Sequence, residues 1–401
     1  MATSVASAHT PTANPSINHS RLGSKQHSVG GLGIAPIQTR SERFSSYDVA
    51  DFQPVQATDS EWKYTPLGAV RPLTGDSLNG SPVEPEVSTT GSARFEWIER
   101  TDAHIGTAGI PEDRASANAW SSFERAAHIV LDGQDGRVTV IRSAMGSEPR
   151  AAHTVITATA GSRGVVVLDN RGKAMLAENL EIVVEDEAAI TVVSLQEWDD
   201  DAVHLASHFA TVGRRAKLRY VSATLGGLVA RINPSVRLAG ERGDAEVYGL
   251  YFADAGQHIE HQVFVNHDAP NTVSHVTYKG ALQGEGAHTA WIGDVLIGRN
   301  GTGTDSYEQN RNLLLTEGAR ADSVPNLEIE TGDIKGAGHA SASGRFDDEQ
   351  LFYLQARGIR EDEARRLVVR GFLGEVVQKI GVPEIEAHLH EAIEAELAAT
   401  R

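Results

Sequence analysis

The neighbours of His339 leave it better placed for chemistry than any other side chain. Gly336-Ala337-Gly338 precede it and Ala340-Ser341-Ala342-Ser343-Gly344 follow. A neutral imidazole is a good ligand for iron, zinc or copper. Small flanking residues leave the ring unshielded and let a second backbone approach closely. One imidazole does not hold a metal alone, because ligation needs converging partners. The plain alternative is a solvent-facing histidine in a flexible connection. The 401 residues include no cysteine. Disulfides, zinc–thiolate sites, a thiol nucleophile and any metal cluster held by the chain's own thiolates are thereby excluded.

The other histidines offer less. His204 and His208 would share an ion on a helix, but on a strand they stand roughly 13 Å apart. The alternating apolar residues of Val203–Phe209 favour the strand. His258 and His261 point to opposite strand faces, and His388 and His390 read as solvated helix residues. Gly172-Lys173 resembles the end of a P-loop, but Val167 replaces the first glycine and Ala174 the magnesium-binding hydroxyl. No Gly-x-Ser-x-Gly elbow or His-Glu-x-x-His pair is present. No catalytic residue is assigned.

These side chains need elements to position them. The first 35 residues are Ser, Thr, Asn, His and Gly with scattered Pro, a composition expected to stay disordered. Residues 36–93 form an N-terminal region, with Phe44, Tyr47, Phe52, Trp62 and Tyr64, running into a Gly/Ser/Pro-rich linker over 74–90. From 94 to 335 short β-rich runs alternate with turn pairs such as Asp132-Gly133 and Asn300-Gly301, and helical patterns are scarce. A sandwich, a barrel or a β-solenoid fits that pattern, with no strict repeat to choose between them.

Residues 336–401 read as a helical domain. Asp347 and Gln350 open a helix that stops at Gly358. Glu361-Asp362-Glu363 open a second, whose apolar face carries Ala364, Leu367, Val368, Phe372, Val376 and Ile380. A third runs from Glu384 to about Ala398. The net charge of −18 repels phosphate backbones and anionic membranes. Nucleic acid and membrane are therefore not expected partners. With no leader pattern before Asn14, the protein is expected to be cytoplasmic.

Pro325–Ile329 and His339–Gly358, the latter containing Leu351-Phe352-Tyr353-Leu354, resemble the C-terminal signature of the SufB/SufD family of iron–sulfur cluster scaffolds. Trp62-Lys63-Tyr64-Thr65 resembles the family's N-terminal motif. His267, Pro270, Thr272 and Ser274 resemble its His-x-x-Pro-x-Thr-x-Ser motif, read as a turn and rung contact. The resemblance implies a mainly β protein, with a right-handed parallel β-helix core, a small N-terminal region and a C-terminal α-helical domain. Flanking helices are expected to cover the open strand edges.

Where the family often has Cys-x-His, this chain has Ala337-Gly338-His339, which implies the SufD branch. There the histidine faces a SufB cysteine across a heterodimer interface on which the nascent cluster forms. His339 is thus the implied metal residue. The chain itself would hold no stable cofactor, and would not be an enzyme. ATP-Mg would belong to a SufC ATPase docked on residues 359–401, whose deletion is expected to leave the β core folded. Homodimerisation is open to the isolated chain. Two other readings compete: a secreted-type β-solenoid carbohydrate-active lyase, and a purely architectural partner subunit.

Overall fold

Each repeat of the chain contributes one strand to each of two facing sheets. The computed structural model describes residues 43–75, 77–346 and 348–399; the expected tail 1–35 and the Asp347 cap lie outside them. Two short helices, Leu67–Gly75 (α1) and Arg114–Ser122 (α2), flank the strands Glu86–Thr90 (β1) and Ala93–Glu99 (β2). The repeats follow as β3 (Arg125–Leu131), β4 (Gly136–Arg142), β5 (Gly146–Ala158), β6 (Arg163–Gly172), β7 (Ala174–Val184) and β8 (Ala189–Trp198). They continue as β9 (Val203–Val212), β10 (Lys217–Thr224), β11 (Val229–Leu238), β12 (Asp244–Ala253), β13 (His258–His267) and β14 (Val273–Leu282). The series closes with β15 (His288–Ile297), β16 (Asp305–Leu314), β17 (Arg320–Ile329) and β18 (Gly336–Arg345).

The sheet orders are β1-β4-β6-β8-β10-β12-β14-β16-β18 and β17-β15-β13-β11-β9-β7-β5-β3-β2. All pairings from β3 onward are parallel, giving a parallel β-solenoid of about eight turns. A turn takes 26 residues between Gly164 and Ile190 but 32 between Val273 and Asp305. That drift hides the repeat from a fixed-period search.

In-register columns of side chains fill the space between the sheets. One column runs Ile129, Ile156, Ile182, Ala210, Val236, Val265, Val295, Leu327. All but Leu327 are buried; fully burying one large aliphatic side chain stabilises the fold by about 1.5–3 kcal/mol. Aromatic rings enter where the neighbouring strand has glycine. Tyr278 lies beside Gly249 and Tyr251 beside Gly280, where a Cβ would meet each ring at 1.9 and 1.8 Å.

The two ends differ. Strands β1 and β2, one in each sheet, add antiparallel to β4 and β3 and finish the first turn. Among the described residues no strand pairs with the outer edge of β17 or β18. The C-terminal helices do not cover this end, contrary to expectation. Asp348–Gln355 (α3), Glu361–Val377 (α4) and Pro383–Ala399 (α5) turn back along the solenoid. There α4 and α5 share a core with the outer face of one sheet, including Val193, Val221, Leu250 and Phe252. The buried face of α4 is Ala364, Val369, Leu373, Val376 and Val377, rotated from the expected stripe because a sheet, not a helix bundle, is its main neighbour. Leu367 remains 45 % exposed.

A candidate metal site at the open end

The strand pattern extends beyond Lys335. Gly336–Arg345, read from sequence as the start of the helical region, is the last rung, β18, so His339 sits on a strand and not in a connection. Gly, Ala and Ser give this strand no apolar alternation. Its place comes from pairing with β16, in which Ala337, His339, Ser341 and Ser343 register with Ser306, Glu308, Asn310 and Asn312. Those four β16 side chains are buried, and their β18 counterparts form the mouth. Ser341 meets Ser323 of β17 at 2.8 Å, and Asn312 donates to Ser343 at 3.2 Å. The His339 side chain is 44 % exposed.

One interior column ends at this imidazole. It runs Val138, Val166, Val192, Tyr220, Val247, Val276, then Glu308 and His339. A carboxylate thus replaces the expected aliphatic residue on the penultimate rung. Glu308 is 1 % exposed, and among the described residues no donor meets either carboxylate oxygen in good hydrogen-bond geometry, although the Asn326 backbone amide stands close by. Its Oε1 lies 3.9 Å from His339 Nδ1. Gly293 on β15 makes room for it: a Cβ there would stand 2.2 Å from the Trp291 ring and 2.5 Å from Glu308 Oε2. Burial, reinforced by the charge of Asp294 and opposed by the Asn326 backbone amide, pushes the Glu308 carboxyl up to about 8. Sequence reading passed over Glu308 because Asp305–Asn312 is polar throughout. The available signal was its place one rung, 31 residues, before His339.

Most of the other histidines among the described residues serve the fold. His204 and His208 both lie on β9, as the alternation predicts. His204 bonds Glu178 at 2.8 Å and Trp198 at 3.1 Å; His208 bonds Tyr220 at 2.6 Å. His267 bridges Thr272 (2.7 Å) and Ser274 (2.9 Å), so the His-x-x-Pro-x-Thr-x-Ser motif closes a turn. His258 and His261 are separated by the sheet: His258 meets His288 at 3.1 Å, while His261 is stacked among Tyr251 and Tyr278. His388 is half-buried; it bonds Glu197 at 2.8 Å and ties α5 to β8. His390 is likewise half-buried. Among the described residues no group of three or more His, Asp or Glu could hold a metal by itself.

The N-terminal motif is a clamp. Trp62 lies under the Arg231 guanidinium, 4.1 Å from ring centre to carbon. Arg231 donates to Asp113 (2.7 Å), Glu260 (3.3 Å) and the Glu61 carbonyl (3.0 Å), and Thr65 donates to Glu260 at 2.7 Å. His258, Arg231 and Thr65 together hold the Glu260 carboxyl down to about 2 despite burial. No helix of the described residues is long and apolar enough to cross a membrane.

Fold and site together define a parallel β-solenoid with one uncapped end, at which an imidazole and a buried carboxylate meet. Residues 140–372 match the family model described as the SUF system FeS cluster assembly, SufBD core domain. The chain is 48 % identical over 369 residues to an iron–sulfur cluster assembly SufBD family protein of Mycobacterium leprae, covering 89 % of this chain and 94 % of that one. A like-named Mycobacterium tuberculosis protein is 47 % identical over 379 residues, covering 92 % and 95 %. A second M. leprae protein of that family name is 30 % identical over 218 residues, 54 % of this chain and 25 % of that one. The chain belongs to the SufBD family of iron–sulfur cluster assembly proteins.

Proposed function

We propose that this chain is the SufD-type scaffold subunit of a SufB–SufC–SufD complex in the cytoplasm. It works with a cysteine-bearing SufB-type paralogue and a SufC-type ATPase, and is not itself an enzyme. The observation that carries the reading is Ala337-Gly338-His339 on a last rung whose outer edge has no partner among the described residues, in a chain without cysteine. A cluster assembled there needs thiolates from another subunit, and imidazole supplements thiolates on iron. The open edges of β17 and β18 are a template for a second solenoid. A paralogue of the same family name beside a close relative in M. leprae supplies a partner of the right kind.

In this reading iron and sulfide are the cargo. The partner presents the thiolate, His339 supplies a neutral nitrogen, and the two solenoid ends shield the nascent cluster. ATP-Mg binds the ATPase, which docks on α3 and α4, where Phe352 (71 % exposed), Tyr353 (56 %) and Leu367 (45 %) leave an apolar surface uncovered. Deleting 359–401 is a poor probe of that docking. The helices share a core with the solenoid, so truncation strips an apolar sheet face.

The test is co-expression with a SufB-type and a SufC-type protein, followed by anaerobic reconstitution. The three-chain complex is expected to hold iron and sulfide. The isolated chain is expected to hold no cluster, and His339→Ala to lower the yield while assembly persists. Equal yields from wild type and His339→Ala would leave this subunit a purely architectural role. Family membership sets aside the carbohydrate-active alternative.

A further inference from the structure

Glu308 is hard to account for as a structural residue. Six of the eight residues in its column are valine or tyrosine, and the strand before it continues the column with Val276. A buried carboxylate without a hydrogen-bond partner is destabilising, and the fold clears space for this one by keeping Gly293 free of a side chain. The one basic side chain within 4 Å of it among the described residues is His339, directly in register on the next rung.

The spacing of the two groups is informative. At 3.9 Å, Glu308 Oε1 and His339 Nδ1 are too far apart for a hydrogen bond. Two ligand bonds of about 2.0–2.2 Å each set their donor atoms roughly 2.8–3.6 Å apart at octahedral or tetrahedral angles. The pair therefore has to close by a few tenths of an ångström to share one ion, a shift open to the His339 ring, which is 44 % exposed at the mouth. Imidazole plus carboxylate is a donor set suited to divalent iron and its first-row neighbours.

We propose that Glu308 is a second metal-ligating residue of this chain, and that with His339 Nδ1 it grips one divalent cation before any thiolate or sulfide arrives. This deepens the reading of His339 as a metal residue and rests on it. It assigns the isolated subunit an activity of its own, the loading of one metal ion, distinct from holding a cluster. Its remaining coordination positions are filled by water in the free subunit and are open to a partner's ligands.

Cobalt(II) binding to the purified full-length chain tests this, read by equilibrium dialysis and by its visible absorption. Wild type is expected to take up one cobalt per chain. Glu308→Gln keeps the size and removes the charge, and it should weaken binding about tenfold or more. His339→Ala should do the same, and the double variant should bind no more weakly than either single one. Thermal melting of the apo proteins checks that Glu308→Gln folds.

Glu308→Gln binding as tightly as wild type, with His339→Ala impaired, overturns the role of Glu308 and leaves the reading of His339 standing. His339→Ala binding as tightly as wild type overturns both. Anomalous diffraction from cobalt-soaked wild-type crystals decides without any variant. Density between Glu308 and His339 Nδ1 is the expected result, and density at His339 Nε2 alone refutes the proposal.

Discussion

Arg231 is the residue on which the N-terminal region hangs. It is 2 % exposed and joins Asp113, Glu260 and the Glu61 carbonyl, with Trp62 beneath it. Removing one partner of a buried charge network strands the others. Arg231→Met is therefore expected to cost about 3–5 kcal/mol, seen as a lowered unfolding midpoint. A midpoint within a degree of wild type would show that the clamp contributes nothing. Buried histidines set the pH response. Burial pushes His208 and His261 down to about 3 and His267 to about 4. Glu178, His204 and Arg142 act on His208, and Glu260 and His208 on His261. The unfolded chain, with histidines near 6.5, binds more protons than the folded one below that pH. Their contribution is therefore complete above about pH 6.5 and is lost as pH falls toward 4, by up to about 1.4 kcal/mol per unit for each histidine. Thermal scans should show a midpoint that falls steeply below about pH 6, and His267→Gln should make the fall shallower.

At the scale of elements, the helices belong to the solenoid wall. Lys279 on β14 is 2 % exposed and reaches out of the sheet to donate to the Phe372 carbonyl at 3.1 Å, to pair with Glu375 and to sit 4.6 Å from the Phe372 ring centre. Lys279→Met leaves the Phe372 carbonyl and Glu375 without this donor, at a cost of about 1–3 kcal/mol. Limited proteolysis should then cut within 346–360 sooner than in wild type. Unchanged cleavage kinetics would argue that the apolar contacts alone hold α4 in place. The strands from β4 to β15 were legible because Val- and Ile-rich runs between turn pairs mark them, whereas β16 and β17 showed only at their last residues. Two kinds of element were not. Helix α2, Arg-Ala-Ser-Ala-Asn-Ala-Trp-Ser-Ser, carries small residues for close approach to β5 and β7, with Trp120 its one large apolar side chain, so little marks it in sequence. Strand β18 takes its conformation from β16, information stored 31 residues away.

For the whole molecule, the family resemblance and the β-solenoid were readable, and the open end was not, because helices after a solenoid suggest a cap. Only coordinates show α4 and α5 lying along the side. The exposed end also bears on association. A net charge of −18 keeps identical chains apart at low ionic strength. Screening shortens that repulsion to about 8 Å at physiological salt. Sedimentation should show self-association of the isolated chain strengthening as salt is raised. Weakening with salt would mean that ion pairs, not strand edges, hold the copies together.

The side-on seat of α4 has a mechanical meaning. Helix α4 packs on β12 and β14, Glu308 belongs to β16 and His339 to β18, four consecutive strands of one sheet. Adjacent strands stand about 4.8 Å apart, so His339 lies roughly 10 Å beyond the strand that Lys279 fastens to the helix. A hydrogen-bonded ladder with a packed interior resists shear and compression. A push on α4 would therefore arrive at the mouth almost undiminished, as a tilt of the terminal rung. The helical segment is the handle of a short stiff lever, and the imidazole stands at its tip.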